Sequence, residues 1–588
     1  MYFKAAICRL RLRLKPHYLA VLLIFLMSSI PLRHLFVHPS KSIGMANADT
    51  EGTMWWVWSQ CRAYQSGQSL THIAAPNGFD VSQMPFFNMV DLSRILLARV
   101  NDCSFTSITT IFTLFPWVAL VTTALAAYVL GFKLFKSKSL ALFVCISSSF
   151  SSQVLLATRT SLSNNFLAPG MLALIFTVVY LESKSKRALV GIFASICFQV
   201  LCNVYNGALF AFISVIFLLF LPKYVNDRSI NRFLASIGVC FSAVLGLAPL
   251  IRSQFFLLSD TAETNAFRPV DQFGETVNPL VLISRNYSWF DQIMPENFPR
   301  PEAGWLSIIH IAIFFLAVWF LLTRRRWNAE SIRTVFVSIC AGLFLIVLVY
   351  RLPGTDFVRS AYFRSFSTLR GVSNFSKGIP LLFGIAGASI VQGVVNKMAS
   401  SARHTKLKLS YTANVIVFFS ISMLLLDNIP RAESFYTRSS LKPLVQFWSQ
   451  LPEDRTGTTA HFPDFTYGSE WGFPQRYMQL AQMVMNHRVA NGRDYKNRAD
   501  ICSALPTPQN PESLKILTNR GVSRIILHRK LMVQSDFDSA TSYLRGLGLS
   551  GVSYKLGESS SNLPYLNSLD ILVFSLSPGL QTSSSCEK

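Results

Sequence analysis

Apolar residues fall into eleven runs: Tyr18 to Phe36, Ile108 to Phe132, Leu140 to Ala157, Phe166 to Leu181, Ala188 to Cys202, Ala208 to Leu221, Phe233 to Ile251, Gly304 to Leu322, Val335 to Tyr350, Ile379 to Val395 and Ala413 to Leu426. These lengths approach the ~20 apolar residues that carry an α-helix across a bilayer core. The pattern predicts a polytopic α-helical membrane protein with about eleven transmembrane helices over residues 1–427. Residues 428–588 lose this character. There the sequence predicts helices over Ser439 to Gln450, Gln475 to Asn486, Glu512 to Asn519 and Asp536 to Leu547, and strands over Thr458 to Phe462, Arg524 to His528 and Ile571 to Ser575. Short β-branched runs bounded by Pro, Gly and polar residues signal those strands, so a C-terminal water-soluble α/β domain follows the spans.

Composition removes two alternatives. The 588 residues are 51% hydrophobic and 14% charged, against roughly 25% charged in soluble proteins, which excludes a soluble enzyme and a disordered chain. The formal charge is 54 minus 30, or +24, and its location matters more than its size. With a cytoplasmic amino terminus, the inside segments are 1–17, 133–139, 182–187, 222–232, 324–333 and 397–409. They hold 22 Lys and Arg against three acids, Glu182, Asp227 and Glu330, or +19 of the total. That is the positive-inside signature of membrane insertion and needs no nucleic acid.

Two points fix the topology further. The first run follows Lys4, Arg9, Arg11, Arg13 and Lys15, but no small-residue cleavage site follows Pro31, so it reads as a retained signal anchor. The stretch Ala188 to Leu221 is expected to break at Asn203-Val204-Tyr205-Asn206-Gly207. A single crossing would put Lys184-Ser185-Lys186-Arg187 and Lys223 to Arg232 on opposite faces, whereas a hairpin keeps both inside. The carboxy-terminal domain is then extracytoplasmic. Among the ten cysteines, Cys61, Cys103, Cys502 and Cys586 show no CxxC or Cys/His pattern, so neither a zinc site nor a disulfide framework is expected.

Three outside regions exceed ordinary connectors: 38–106, 252–303 and 351–378. The first carries Asn47-Ala48-Asp49-Thr50-Glu51-Gly52-Thr53-Met54-Trp55-Trp56-Val57-Trp58. The tryptophans suit a helix lying among headgroups, and a carboxylate there is placed to deprotonate a hydroxyl while a lipid-borne reactant stays in the bilayer. The plainer alternative makes Asp49 the N-cap of that helix. The last long loop gathers Arg359, Arg364, Arg370 and Lys377 against Asp356. Such cations either bind a departing phosphate or anchor the loop to acidic lipid headgroups. Arg159 and Arg268 are further candidates for a phosphate cavity, Arg268 having Asp271 as an alternative partner. In the outer domain, His461, Tyr467, Gln475, Gln482, His487, Asn491 and Gly492 form a polar and aromatic band, suited to recognising a sugar or polymer or forming ordinary domain surface.

A first span, a long outside loop with an early Asp and aromatic interfacial helices, about eleven spans and an outside carboxy-terminal domain together resemble the C superfamily of membrane glycosyltransferases (GT-C), in particular its YfhO-like and polyprenyl-phosphate-sugar-dependent members. The resemblance implies a GT-C-like fold and an inverting transfer from a polyprenyl-phosphate sugar donor to a glycan, lipid or protein acceptor outside a bacterial inner or plasma membrane. It makes Asp49 the catalytic base. Members often carry adjacent acids where this chain has Asp-Thr-Glu, which leaves Glu51 as the reserve. It gives Arg159, Arg268, Arg364, Arg370 and Lys377 the substrate and phosphate-binding roles. Membrane lipids are the other expected partners. No cofactor or metal motif is evident, although a divalent metal is compatible with the chemistry. The competing readings are a lipid-linked glycan flippase or transporter and a non-catalytic envelope-assembly protein. Transporters place ionisable groups near mid-membrane, whereas Asp and Glu are nearly absent from these spans.

Overall fold

The computed structural model describes residues 17–32, 50–65, 73–74, 80–81, 89–100, 102–151, 153–155, 165–221, 229–260, 306–350, 352, 354–355, 357, 372–401, 414–415, 417–425, 446–451, 458–463, 481–485, 488–489, 506–519, 521–555 and 570–576. The chain forms two compact units. One comprises Met1–Phe36, Leu114–Ala248 and Arg268–Tyr436, and the other Val37–Thr113, Pro249–Phe267 and Thr437–Lys588.

The first unit is a helix bundle. Its first helix is α1 (Tyr18–Ser29). The expected span to Phe36 is longer than this helix. Pro31 cannot donate a backbone hydrogen bond and restricts Ile30 before it, and the Ser29 hydroxyl turns back to the Phe25 carbonyl at 2.8 Å. Within the second unit lie α2 (Thr50–Gln65), the two-stranded ribbon β1 (Ile73–Ala74) and β2 (Asp80–Val81), and α3 (Met89–Arg99). The bundle resumes with α4 (Phe105–Phe135), α5 (Lys138–Ser149), α6 (Ala168–Ser183), α7 (Lys186–Cys202), α8 (Val204–Phe220) and α9 (Ser229–Asp260). It closes with α10 (Ile308–Leu322), α11 (Ala329–Val349) and α12 (Gly378–Ser401). Among the described residues, four segments, Phe105–Phe135, Ile230–Ala248, Ala329–Val349 and Asn374–Lys397, are long and apolar enough to cross a membrane by length and composition, and five shorter helices are apolar. With Leu322 80% and Phe315 66% exposed, the bundle presents to its surroundings what a water-soluble protein buries. The chain is a helical membrane protein.

The break between α7 and α8 occurs at Asn203, which is extended and accepts the Asn206 N–H at 3.0 Å as the N-cap of α8. A Cβ on Gly207 would stand 2.3 Å from Val200 Cγ2, and one on Gly170 2.0 Å from Phe210 Cδ2. Glycine at these two positions lets α8 fold back against both α7 and α6.

In the second unit, β3 (Thr458–Phe462), β4 (Arg488–Val489), β5 (Val522–His528), β6 (Gly551–Lys555) and β7 (Asp570–Ser575) form one sheet ordered β4-β3-β5-β7-β6. Strands β4 and β5 run parallel to β3, while β7 is antiparallel to β5 and β6. Helix α13 (Pro511–Asn519) precedes β5 and α14 (Gln534–Gly546) follows it. Leu514 and Leu517 from α13 and Phe537, Ala540 and Leu544 from α14 join Phe462, Ile525, Leu527, Leu572 and Phe574 in one core.

A disulfide joins Cys61 on α2 to Cys103, Cα atoms 5.8 Å apart. This corrects the expectation of no disulfide framework for these cysteines. Forty-two residues separate them in sequence, and only the folding of the loop into α2 and α3 brings them together.

Candidate functional site: a buried lysine at the head of α12

Of the site residues expected from sequence, Asp49, Arg159, Arg268, Arg364 and Arg370 lie outside the described residues. Glu51 falls in the first turn of α2, whose first residue, Thr50, follows Asp49 in sequence. Lys377 is described in full. It ends a 3-10 turn (Val372–Lys377) that leads directly into α12.

Lys377 is only 5% exposed. Its Nζ donates to Asn374 Oδ1 at 3.0 Å and to Asn206 Oδ1 at 3.4 Å. Both acceptors are neutral amides, and no carboxylate pairs with Lys377 among the described residues. A lysine that snorkels to headgroups keeps its ammonium at the surface, whereas the Lys377 side chain is interior. An ammonium has three donors, and a buried charge is costly unless it is compensated. Two amide oxygens orient the amine, and no carboxylate among the described residues favours its charged form. Packing fixes the place: a Cβ on Gly378 would lie 2.7 Å from Leu209 Cδ1 and 2.9 Å from Leu345 Cδ1, so α8 and α11 close tightly behind the lysine. Asn206 came from the stretch noted only as a helix break, and its signal was an amide in the first turn of an otherwise apolar helix.

A second polar group that sequence reasoning passed over connects to α12 at Pro380, three residues beyond Lys377. His310, in the first turn of α10, is buried, with Nε2 2.8 Å from Ser147 Oγ and Nδ1 2.9 Å from Ser307 Oγ. Ser147 donates in turn to the Pro380 carbonyl at 2.9 Å. Both ring nitrogens are engaged, so this cluster ties α5, α10 and α12 together and has no donor to spare. An ionisable side chain within the apolar run Gly304 to Leu322 was the available signal.

In the second unit, Trp55 of α2 donates its indole N–H to Gln482 Oε1 at 2.7 Å, and Arg94 of α3 stands 4.7 Å from the Phe112 ring centre. The outer band needs correction. Gln482 and His461 are interior. The His461 Nδ1 and His528 Nε2 atoms are 3.1 Å apart with the rings stacked, and Trp448 meets both edge-on. Burial pushes His528 down to about 4, which keeps it neutral near pH 7. These residues build the core of the unit. Tyr467, Gln475, His487, Asn491 and Gly492 lie outside the described residues. Among the described residues no group of three or more His, Cys, Asp or Glu side chains converges as metal ligands.

The fold and this site define a helical membrane protein with a buried, amide-held lysine at one end of its bundle. Solved structures to which the chain is similar include the arabinofuranosyltransferase AftD from Mycobacteria (12% identity, covering 96% of this chain and 40% of that one, TM-score 0.47). Others are ArnT from Cupriavidus metallidurans in the apo state (11%, 99% and 100%, TM-score 0.47) and the archaeal oligosaccharyltransferase AglB from Archaeoglobus fulgidus in complex with an inhibitory peptide and a dolichol-phosphate (11%, 94% and 78%, TM-score 0.45). The chain thus spans 40% of the length of AftD. No protein-family model matches the chain, and no curated protein matches it in sequence.

Proposed function

We propose that the protein is an integral membrane glycosyltransferase of the GT-C type, taking a sugar from a polyprenyl-phosphate donor and passing it to an acceptor hydroxyl outside the cytoplasm. The observation that carries this reading is Lys377, a cation buried at the head of α12 and held by two amides. A lipid-phosphate leaving group departs with negative charge, and a cation already oriented in a site of low polarity stabilises that charge as it develops. Arg364 and Arg370 precede it in the same loop and are assigned the remaining phosphate contacts, with Arg159 and Arg268 as further contributors. Asp49 is assigned as general base, with Glu51 as its alternative. The acceptor O–H proton passes to the carboxylate, the acceptor oxygen bonds to the anomeric carbon with inversion, and the glycosidic C–O bond breaks toward the phosphate. The topology belonging to this reading has eleven spans, a cytoplasmic amino terminus, a transmembrane domain over 1–427 and an extracytoplasmic domain over 428–588.

The test is a pair of variants assayed with a radiolabelled polyprenyl-phosphate sugar. Asp49→Asn keeps size but removes the proton acceptor, and should lower transfer by about 10² to 10⁴ while sparing donor binding. As an N-cap, Asn would serve nearly as well as Asp, so the two readings separate. Loss in Glu51→Gln alone moves the role to Glu51. Full activity in both variants overturns the mechanism.

A further inference from the structure

A cavity of about 490 Å³ opens between α4, α6, α8, α11 and α12 at the end of the bundle away from Lys377. Asn396 lines it, 19 residues beyond Lys377, which along an α-helix is about 28 Å. The chemistry of its walls is divided. Leu134, Leu181 and Leu221 are among its apolar lining residues, and Asn328, the N-cap of α11, Arg333 of α11 and Asn396 of α12 are among the polar ones. Two acids are close: Glu330 in the lining, and Glu182, whose carboxylate is 3.7 Å from Nζ of the lining residue Lys136.

The lining residues lie in or beside segments 133–139, 182–187, 222–232, 324–333 and 397–409. The described residues of these five segments hold 12 Lys and Arg against two acids, Glu182 and Glu330, so the cavity opens at a cationic end of the bundle. Beside it, Trp327 stacks on Phe320, and Lys397 Nζ stands 4.8 Å from the Trp327 ring centre. A tryptophan with a cation on its face suits the level of lipid headgroups. The flanking apolar surface is open: Phe220 and Leu322, at the ends of α8 and α10, are exposed.

We propose that this cavity is a binding site for an acidic phospholipid, its phosphate held by Arg333 with the Asn328 and Asn396 amides and the start of its acyl chain lying along Leu134, Leu181 and Leu221. A soluble anion would have no use for the apolar wall, and a zwitterionic lipid none for the surplus of cations. Basic pockets between membrane helices are suited to such headgroups. The proposed topology enters only in naming the leaflet, which it makes the cytoplasmic one; the site itself needs no sugar transfer.

Native mass spectrometry of the purified full chain, titrated with phosphatidylglycerol or phosphatidylcholine, tests the proposal. Phosphatidylglycerol should be retained at several-fold lower concentration. Arg333→Gln should weaken that preference by about fivefold to tenfold, as expected for one charge-assisted hydrogen bond. Leu221→Trp, which fills the apolar side without altering charge, should reduce retention too. Arg325→Gln makes the same charge change in an exposed turn and should leave retention as in the wild type. Melting temperatures in phosphatidylcholine should be unchanged for all three variants. Equal retention of the two lipids, or equal loss in Arg325→Gln and Arg333→Gln, overturns the proposal in favour of no site or diffuse attraction. Displacement of phosphatidylglycerol by millimolar glycerol phosphate overturns it in favour of a soluble anion. Sugar transfer is not measured, so failure here leaves the glycosyltransferase reading standing, and the converse holds.

Discussion

The bundle and the five-stranded sheet use buried polar groups in different ways. In the sheet unit the core is driven by apolar burial, where each fully buried large side chain contributes roughly 1.5–3 kcal/mol. Its buried histidines, His461 and His528, pair with each other beside Trp448. In the bundle, the solvent for exposed Phe and Leu is hydrocarbon, so helices gain less from hiding them and rely on close packing and interhelical hydrogen bonds. The Ser147–His310–Ser307 tie and Gln199, which donates to the Phe166 carbonyl and accepts the Gly170 N–H, are such bonds. Against that background Lys377 stands apart as a buried lysine whose amine is held by two amide oxygens and by no carboxylate among the described residues.

The contrast breaks most directly at Lys377. Lys377→Gln retains an N–H donor for Asn206 and Asn374, so insertion and bundle stability should change little, while donor turnover should fall by about 10². Unchanged kinetics would reclassify Lys377 with the helix ties. On the sheet-unit side, replacing Cys61 and Cys103 together by Ser should destabilise that unit by about 2–4 kcal/mol, read by denaturant unfolding of Trp fluorescence, and leave bundle helicity in place. A loss of helicity would show that the two regions do not unfold separately. His310→Ala should cost the bundle about 1–2 kcal/mol with donor affinity retained, measured by thermal unfolding in detergent. A greater effect on donor affinity than on stability would make His310 part of the site. The smallest effect is with acid. His528 is held near 4, below its ordinary 6.5, so protonation favours the unfolded state. The stability from this neutral histidine is fully present above about pH 6.5 and is lost as pH falls toward 4. The melting temperature of the sheet unit should drop over that window, and the drop should shrink in His528→Gln.

How far the sequence could be read depended on whether a feature was local. Thr458–Phe462 was legible residue for residue, and β5 and β7 within two residues, because each is a short apolar run between turn signals. Strand β6, Gly551–Lys555, was not, since its Val-Ser-Tyr-Lys sequence is mostly exposed and lacks a buried face. Helix α9 continues to Asp260, past the apolar run that ended at Ile251, because backbone hydrogen bonding does not stop where hydropathy does. Lys377 was visible as a cation, but its partner Asn206 is 171 residues away. The polar band around His461 misled for the complementary reason: paired polar side chains such as those of His461 and Gln482 can be interior, and a linear pattern does not show pairing.

The bond between Cys61 and Cys103 also bears on how the protein is made. Disulfides persist in oxidising compartments and are rare where thiol reductants prevail, which agrees with the side of the membrane proposed for the segment that it closes. Closing that loop then becomes a step that waits for export and for a thiol oxidant. Cells deprived of that oxidant should accumulate a chain whose spans are inserted and whose loop is still open, distinguishable by the reaction of both thiols with a membrane-impermeant alkylating reagent after mild denaturation.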